Sequence, residues 1–434
     1  MSEIKRVEPR TLPGFMELLP AEQIQFNNIK NVIQETYEKF GFLPIDTPVI
    51  ESSEVLLAKA GGETEKQIYR FNKGENDLSL RFDLTVPLAK YVAKNYGVLS
   101  FPFRRYHIGK VYRAERPQRG RYREFYQCDI DIIGDGELGI MNDAEIPSII
   151  YNIFSKLDFG KFTIRFNNRK ILGGFFQALQ LEDKITDILR IVDKIEKVGK
   201  ETVNEMLEEL GVSAEQAKRI VEFISTKENV IDFLKGLNIE NELFKKGIEE
   251  LEFVSKYMND FGIPDEYYQI DLSIARRLDY YTGTVYETIL DEYPQIGSVC
   301  SGGRYDNLAE FYTNKQLPGV GISIGLTRLF YVLNEYNLMK ENNQKSISKA
   351  IIIPMVDDLA YPIKVATKLR EKGINVEIYL EQKAMKKKMN YANKQNIPYA
   401  IIIGEDEVTN GTVTIKNMIT GEQETKKIGG IETL

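Results

Sequence analysis

The chain of 434 residues carries a formal net charge of −7, with 43% apolar and 28% charged residues, and predicts a globular protein of two or three domains. Its longest apolar runs span a few residues, which excludes a membrane-spanning helix, and MSEIKRVEPR lacks a signal-peptide core, so we expect a cytoplasmic protein. Two cysteines cannot form a disulfide framework, and the single histidine, His107, excludes a multi-histidine metal site. The acidic balance argues against nucleic-acid binding by the whole surface but allows a local basic face.

Periodicity predicts the first elements. Apolar residues at helical spacing predict a helix over 21–40, and Gly41 ends it. In FLPIDTPVIES, Pro44 and Pro48 favour an edge or interface strand. LSLRFDLT (78–85) alternates apolar and polar residues and predicts a half-buried strand, which VPLAKYVAKNYG follows as a helix.

The middle of the chain predicts a hairpin, a run of helices and further strands. Residues 101–134 read as two strands, one of them carrying His107 in a structural role, joined by the polar loop ERPQRGR. Residues from about 181 to 261 are rich in Leu, Ile, Glu and Lys and predict short helices. Strand patterning returns over 267–290, CSGGRYD predicts a glycine turn, and GVGISIGLTRLFYVLNEY predicts a strand running into a helix.

The C-terminal region is separated by KENNQKSISK (340–349), a polar segment that predicts a linker. KAIIIPM, INVEIY and YAIIIG predict strands that alternate with helices over 357–372 and 383–396. A hairpin with a turn near Gly421 closes the chain. This alternation predicts an α/β domain with a mostly parallel sheet.

One basic segment stands out in an acidic chain. The segment from Arg104 to Glu124 contains eight Lys and Arg residues and two acidic residues. The central strands carry no glycine-rich nucleotide motif, so a bound nucleotide would be held by side chains, and arginine forks suit phosphate. Arg113, Arg121 and Arg328 are the best placed. The alternative is a solvated face of the hairpin.

A second group is acidic and aromatic. It comprises Asp83 and Thr85 of FDLT, Gln127, Asp129 and Asp131 of YQCDID, and Arg276, Asp279, Tyr280 and Tyr281 of RRLDYYTG. Alternation puts the three YQCDID side chains on one side of a strand. That side would suit an ammonium group or a protonated ring, or would be the solvent side of an edge strand. Spacing alone leaves both interpretations open.

Four segments resemble the motifs of class II aminoacyl-tRNA synthetases of the histidyl type. VYRAERPQRGRYREFYQ resembles motif 2, GVGISIGLTRL motif 3, RRLDYYTGTVYE the histidine signature, and GFLPIDTPVIE motif 1, the dimer-interface element around Pro48. The resemblance spans essentially the whole chain. It implies an α+β catalytic domain (1–340) with a mainly antiparallel sheet flanked by helices, a helical insertion (about 181–261), a linker (341–348) and a C-terminal α/β anticodon-binding domain (349–434).

The resemblance also implies a role for individual residues. For ATP they are Arg113, Glu115, Arg121, Phe125 and Arg328, and for catalysis Arg113 and Arg276. For histidine they are Asp83, Thr85, Arg113, Gln127, Asp131, Arg276, Tyr280, Tyr281 and Tyr305. For the acceptor end of tRNA they are Arg116, Gln118 and Arg123. No residue is assigned as a metal ligand. The signature departs from the family where Arg277 replaces its usual glycine.

The implied reaction joins histidine to histidine tRNA through histidyl-adenylate, with ATP as substrate, Mg²⁺ accompanying it, and a homodimer as the assembly. The alternative is a non-catalytic paralogue that regulates or senses tRNA. Such proteins typically lose the motif 2 arginines, the histidine signature or the C-terminal domain, and this chain keeps all three. A class II synthetase for another amino acid fails on LDYYTG. Exchange of pyrophosphate into ATP with histidine alone would separate these possibilities.

Overall fold

The computed structural model describes residues 6–58, 63–116, 120–192, 194–274, 281–339 and 345–430. Contacts between Cα atoms divide the chain into two compact units. The first comprises Met1–Met16 and Ile29–Met339, and the second comprises Glu17–Asn28 and Lys340–Leu434. Among the described helices, none combines the length and apolar character that a bilayer crossing requires.

The strands of the first unit are β1 Leu43–Pro44, β2 Ile50–Ser52, β3 Arg70–Lys73, β4 Asn76–Leu80, β5 Phe103–Tyr112, β6 Glu124–Ile133, β7 Phe162–Asn168, β8 Tyr268–Ile270, β9 Tyr281–Leu290, β10 Cys300–Tyr305 and β11 Gly319–Ile324. Eight of them form one sheet in the order β1-β5-β6-β11-β10-β9-β7-β8. Its central pairs are antiparallel, whereas β1 and β8 pair in parallel at the two edges. β2, β4 and β3 form a small antiparallel sheet.

The helices that precede residue 340 are α1 Pro20–Lys39, α2 Ser53–Leu57, α3 Glu63–Gln67, α4 Thr85–Asn95, α5 Met141–Leu157, α6 Arg169–Ala178, α7 Ile185–Val192, α8 Ile195–Val198, α9 Lys200–Glu209, α10 Ala214–Ser225, α11 Val230–Gly236, α12 Glu242–Asp260 and α13 Leu326–Glu335. The predicted run of helices after position 181 is confirmed. It ends in a long helix rather than a short one, α12. Gly174 of α6 and Gly247 of α12 allow these two helices to pack closely, because a Cβ at either position would meet the other helix.

The predicted hairpin is confirmed as β5 and β6, which pair without a register shift from Phe103 opposite Ile133 to Tyr112 opposite Glu124. Arg105 lies opposite Asp131, and His107 lies opposite Asp129. Side chains of opposed residues point to the same face of a sheet. The register therefore gathers the alternate polar residues of both strands on one face.

The prediction of a strand over 78–85 is wrong in its second half. β4 ends at Leu80, and α4 begins at Thr85. The Oδ1 atom of Asp83 accepts hydrogen bonds from the N–H groups of Thr85 (3.1 Å) and Val86 (2.9 Å). A carboxylate that accepts the free N–H groups of a first helical turn stabilises the start of the helix. Asp83 therefore ends the alternating pattern by starting a helix.

The prediction of a glycine turn in CSGGRYD is also wrong, because Cys300–Tyr305 is strand β10. Its glycines lie where neighbouring strands come close. A Cβ on Gly302 would be 2.6 Å from the Cα of Ile322, and a Cβ on Gly303 would be 2.6 Å from the carbonyl oxygen of Thr284. Glycine marks close backbone approach here rather than a change of direction.

The second unit adds β12 Ala350–Pro354, β13 Val376–Ile378, β14 Tyr399–Ile403, β15 Thr412–Asn417 and β16 Gln423–Lys427, with α14 Ala360–Glu371, α15 Met385–Lys394 and α16 Glu405–Asn410. The sheet order is β13-β12-β14-β15-β16. The first three strands are parallel, and the last two form the predicted antiparallel hairpin. The predicted α/β character of this unit is confirmed, whereas the helix α16 was not predicted from the sequence.

Candidate active site

The loop between β5 and β6 carries the predicted phosphate ligands; we call residues 113–123 the arginine loop. Its base is closed by the N–H of Arg113, which donates to the carbonyl of Arg123 at 2.9 Å. The Arg113 Nε donates to the carbonyl of Phe82 at 3.2 Å. The guanidinium carbon lies 4.3 Å from the ring centroid of Phe82 and 5.0 Å from that of Phe125. Two aromatic rings therefore orient this cation.

Arg328 lies near the start of α13 and borders the same loop. Its Cγ lies 3.8 Å from the place where a Cβ on Gly120 would be, and its Nη2 donates to the carbonyl of Ile296. Within the loop, Arg121 lies 4.0 Å from the carboxylate of Glu115. The Arg121 side chain is 48% exposed, so this ion pair is weak and open to exchange with another anion.

Arg123 lies at the foot of the arginine loop. Its Nε donates to the carbonyl of Glu115 at 3.0 Å, and its backbone N–H donates to the carbonyl of Gly14 at 2.7 Å. Gly14 has φ +85°, and a Cβ there would press on the Arg123 side chain. Arg123 therefore ties the N-terminal segment to the loop. Arg116 is exposed, and the predicted tRNA contact Gln118 lies outside the described residues.

The other end of β6 carries the buried acids Asp129 and Asp131; together with the half-buried Asp83, which precedes α4, we call them the acidic cluster. Asp129 is 3% exposed and Asp131 is 5% exposed. The hydroxyl of Tyr305 on β10 donates to the Oδ1 of Asp131 at 2.8 Å. Because both carboxylates are buried, this face of β6 is not the solvent side of an edge strand. It is a polar face directed into the protein.

Gln127 lies on the same face of β6. Its Nε2 donates to the Oγ of Ser323 on β11 at 2.8 Å. Its Oε1 and the Oδ1 of Asp129 are buried and accept no hydrogen bond from any other described residue. Buried polar atoms nearly always have a partner, so two open acceptors on one strand face suit a ligand with N–H donors.

Glycines on β11 make room for this arrangement. Gly321 lies opposite Asp131, and a Cβ there would be 2.6 Å from its carboxyl carbon. A Cβ on Gly319 would be 2.5 Å from the ring of Tyr305. Both glycines belong to the segment predicted as motif 3. Because they have no side chain, the Asp131 and Tyr305 side chains can lie flat across the neighbouring strand.

Arg105 also lies in this site, although the sequence did not predict a role for it. Its side chain is fully buried, and its Nη2 forms an ion pair with the Oδ2 of Asp131. Its Nη1 lies 3.5 Å from the carbonyl of Asp129. The sequence did contain a signal for this role: pairing the two strands without a break from the loop places residue 105 opposite residue 131. Without that pairing, Arg105 is simply one arginine of a basic segment.

Burial dominates the electrostatics of the acidic cluster. It raises the pKa of Asp129 to about 7, against the opposing effect of the Arg105 guanidinium. It also raises the pKa of Asp131, where Arg105 and the Tyr305 hydroxyl oppose it. The pKa of Asp83 is raised by burial and lowered in turn by its helix N–H bonds and by Arg113. Desolvation favours the neutral acid, and nearby cations favour the carboxylate.

Four further residues were predicted to contact histidine: Thr85, Tyr281, Arg276 and Tyr280. Thr85 opens α4 beside Asp83, and Tyr281 pairs with Tyr305 across β9 and β10. Arg276 and Tyr280 lie outside the described residues. Within the described ranges, no group of three or more His, Cys, Asp or Glu side chains is arranged to hold a metal ion.

Comparison with known proteins agrees with this geometry. The family model described as histidyl-tRNA synthetase matches residues 14–329, and an anticodon binding domain model matches residues 349–433. The chain belongs to the histidyl-tRNA synthetase family. The match covers both the arginine loop and the acidic cluster.

Individual members of the family cover nearly the whole chain. A histidine–tRNA ligase of Clostridium tetani is 61% identical over 97% of both chains. A histidine–tRNA ligase of Clostridium acetobutylicum is 48% identical over 96% of this chain and 97% of its own. The crystal structure of histidyl-tRNA synthetase from Nostoc sp. PCC 7120 superposes with a TM-score of 0.90, at 39% identity, over 97% of both chains.

Family membership confirms the predicted fold class and the prediction of a histidine–tRNA ligase, a class II aminoacyl-tRNA synthetase. It also confirms that the chain is an ATP-dependent enzyme of this family. The non-catalytic paralogue is not favoured, because the near full-length relatives at 61% and 48% identity are named as ligases.

Proposed function

We propose that this chain activates L-histidine with ATP, forming histidyl-adenylate and releasing pyrophosphate, and then transfers the histidyl group to the 3′ end of histidine tRNA. One observation carries the proposal. The single hairpin of β5 and β6 holds the arginine loop at one end and buried acids at the other. Polar contacts for an amino acid and cations for a triphosphate are thus parts of one rigid element.

ATP is assigned to the arginine loop. Arg113, oriented by Phe82 and Phe125, would bind the α-phosphate together with the carboxylate of histidine. Arg121 and Arg328 would bind the β- and γ-phosphates, where Arg121 exchanges its weak pairing with Glu115 for phosphate. Glu115 would then accept from the adenine amino group, and Phe125 would stack on the ring.

Histidine is assigned to the face of β6 that bears the acidic cluster. Asp131 and Gln127 would accept from the imidazole and ammonium N–H groups, and the open Oε1 of Gln127 supports this. A polar site discriminates strongly against an analogue that lacks the matching group, because its buried polar atoms then lose their partners. Asp83, Thr85, Tyr281 and Tyr305 would border the substrate, and Arg276 and Tyr280 are assigned with them by resemblance.

The reaction brings two anions together, since the carboxylate of histidine attacks the α-phosphorus and pyrophosphate leaves. Arg113, and Arg276 by resemblance, would offset this repulsion and stabilise the charge that develops in the transition state. Orienting the two reactants would contribute about 7–11 kcal/mol to lowering the barrier. The protein supplies no nucleophile, in keeping with the fully buried ring of His107 and the buried thiols of Cys128 and Cys300.

Mg²⁺ is expected to enter with ATP. Within the described ranges no cluster of three acidic, His or Cys side chains is arranged as a cage for a metal ion. Mg²⁺ commonly keeps several waters and is held by substrate phosphates with one or two carboxylates. It would neutralise phosphate charge, while the arginines orient the phosphates.

The tRNA would contact both domains. Arg116 is exposed on the arginine loop, and together with Gln118 and Arg123 it is assigned to the acceptor end. The C-terminal domain, with proposed bounds of 349–434 after a linker at 341–348, would contact the anticodon. The catalytic domain would then span 1–340, with the helical insertion over about 181–261. ATP and tRNA are both cytoplasmic, which supports a cytoplasmic location.

A homodimer is proposed through motif 1. β1 is the edge strand of the eight-stranded sheet, so its outer backbone groups have no partner strand within that sheet. Leu43 is 59% exposed and Ile50 is 48% exposed, with the exposed Pro48 between them. Leu43 is on β1, and Ile50 is on β2, an edge strand of the small sheet. Large exposed apolar side chains at sheet edges suit an interface with a second copy. Sedimentation equilibrium of the wild type and of Leu43→Asp tests this, and a monomeric wild type would contradict it.

The test of function is ATP–pyrophosphate exchange by the purified full chain with each of the twenty amino acids. Exchange with histidine alone, followed by charging of histidine tRNA and no other tRNA, is the expected result. Exchange with a different amino acid would reassign the substrate. No exchange with any amino acid would overturn the proposal.

A further inference from the structure

Arg105 is a buried cation on the same strand face as the proposed histidine contacts. Its side chain has 0% exposure, and its ion pair with Asp131 engages the carboxylate oxygen that Tyr305 leaves free. The hydroxyl of Tyr305 engages Oδ1, and Arg105 engages Oδ2. The Asp131 carboxylate is therefore held from both sides in one orientation.

Arg105 forms its ion pair with Asp131. Its charge also opposes the effect of burial on the pKa of each of the three carboxyl groups of the acidic cluster. Buried carboxylates that also repel each other take up protons unless a cation lies among them. A protonated Asp131 would lose one of its acceptor positions for an imidazole N–H.

We propose that Arg105 is a positioning residue for histidine recognition, which holds Asp131 ionised and oriented toward the imidazole of the substrate. This inference rests on the proposed function. A guanidinium suits the task because its planar fork reaches the Asp131 carboxylate with one nitrogen while another lies near the Asp129 carbonyl. Lysine at this position would supply the charge without the fork.

Other charged and titratable groups surround Arg105 and Asp131. They are His107 on β5, Asp129 and Cys128 on β6, Tyr305 and Cys300 on β10, Tyr281 on β9, Tyr37 on α1, and Asp83 and Arg113 beside α4. His107 stays neutral near pH 7, because burial and the two arginines Arg105 and Arg81 lower its pKa to about 4. Arg105 and Arg113 are the cations that counter the acidic cluster among the described residues.

The test compares wild type, Arg105→Met and Arg105→Lys in histidine-dependent ATP–pyrophosphate exchange from pH 5.5 to 9. For Arg105→Met we expect the KM for histidine to rise about 10-fold or more, with the KM for ATP changed less than about twofold. The acid limb of kcat/KM for histidine should move up by about one pH unit or more, because removing a cation raises the pKa of the nearby carboxyl groups. Arg105→Lys should restore the pH profile and only part of the affinity.

Asp83→Asn provides a test in a variant that keeps Arg105. The Asp83 carboxylate raises the pKa of Asp131, so removing its charge should move the acid limb to lower pH, opposite in sign to Arg105→Met. A structural role alone predicts unchanged pH profiles and equal changes in both KM values, and that result would overturn the inference. If Arg105→Met does not fold, Arg105→Lys decides, through a rise in the KM for histidine that the KM for ATP does not share. Exchange by the wild type with histidine keeps the proposed function standing whichever way the variants behave.

Discussion

Replacing Gly321 with alanine is expected to weaken both histidine recognition and folding. Gly321 on β11 lies opposite Asp131, and an alanine Cβ would overlap the Asp131 Oδ1 and the carbonyl oxygen of Ile130. The carboxyl carbon of Asp131 would have to retreat from 2.6 Å to the 3.4 Å at which ordinary contact begins. The carbonyl cannot rotate away, because it belongs to the central strand β6.

The size of the effect follows from that displacement. A misplacement approaching ~1 Å at a reacting or binding group costs about 10²-fold in rate. We therefore expect kcat/KM for histidine to fall on the order of 10²-fold. Overpacking of a close interior costs about 1–3 kcal/mol or more, so the free energy of unfolding should fall by at least about 1 kcal/mol, because the Ile130 carbonyl is fixed in β6.

The assay is ATP–pyrophosphate exchange with histidine and ATP varied separately, together with denaturant unfolding. Gly236→Ala is a matched control, because a Cβ at this helical position meets no atom within 4 Å. It should leave both KM values near those of wild type and the unfolding midpoint unchanged or slightly higher, because alanine favours a helix more than glycine does. If Gly321→Ala keeps the wild-type KM for histidine, the assignment of Asp131 to the substrate fails.

Three further predictions use other contacts. Tyr305→Phe removes a hydrogen bond to the Asp131 carboxylate, and in exchange assays the KM for histidine should rise about 10-fold; an unchanged KM would contradict its place beside the substrate. Arg304→Leu leaves the buried Asp143 unpaired, so urea unfolding should show a loss of about 3–5 kcal/mol, and a loss under 1 kcal/mol would refute this. Burial holds the pKa of His107 at about 4, below its unfolded value of 6.5, so its contribution to stability is full above pH 6.5 and is lost as pH falls toward 4. Stability of His107→Asn, measured from pH 4 to 7, should therefore depend less on pH than that of wild type.

Elements with a strong, isolated period were predictable from sequence. The hairpin of β5 and β6 consists of two ten-residue strands on either side of a polar loop that contains proline and glycine, and the helix α1 keeps its apolar spacing over twenty residues. Two predictions failed because one residue type serves two purposes. Asp83 looked like the polar position of a strand and starts a helix instead. Gly302 and Gly303 looked like a turn and allow close strand approach instead.

The candidate site shows the same division. Arg113, Phe125 and Asp131 were predicted as site residues from the resemblance, because they lie within or just after the motif 2 segment. Arg105 was not, because its role depends on which residue lies opposite it in the hairpin and on burial of the pair. Composition registers a basic segment but does not distinguish an arginine that faces phosphate from one that faces a carboxylate.

The sequence by itself determined the family, the hairpin and the identity of the polar residues on one face of its second strand, because these depend on residue type and local spacing. Only the tertiary structure decided that this face is buried, that Gly319 and Gly321 open it, and that Arg105 rather than solvent faces the acids. The physical reason is desolvation. Whether a carboxylate on a strand is an ordinary surface charge or part of a selective site depends on what covers it, and the covering residues come from strands far apart in the chain.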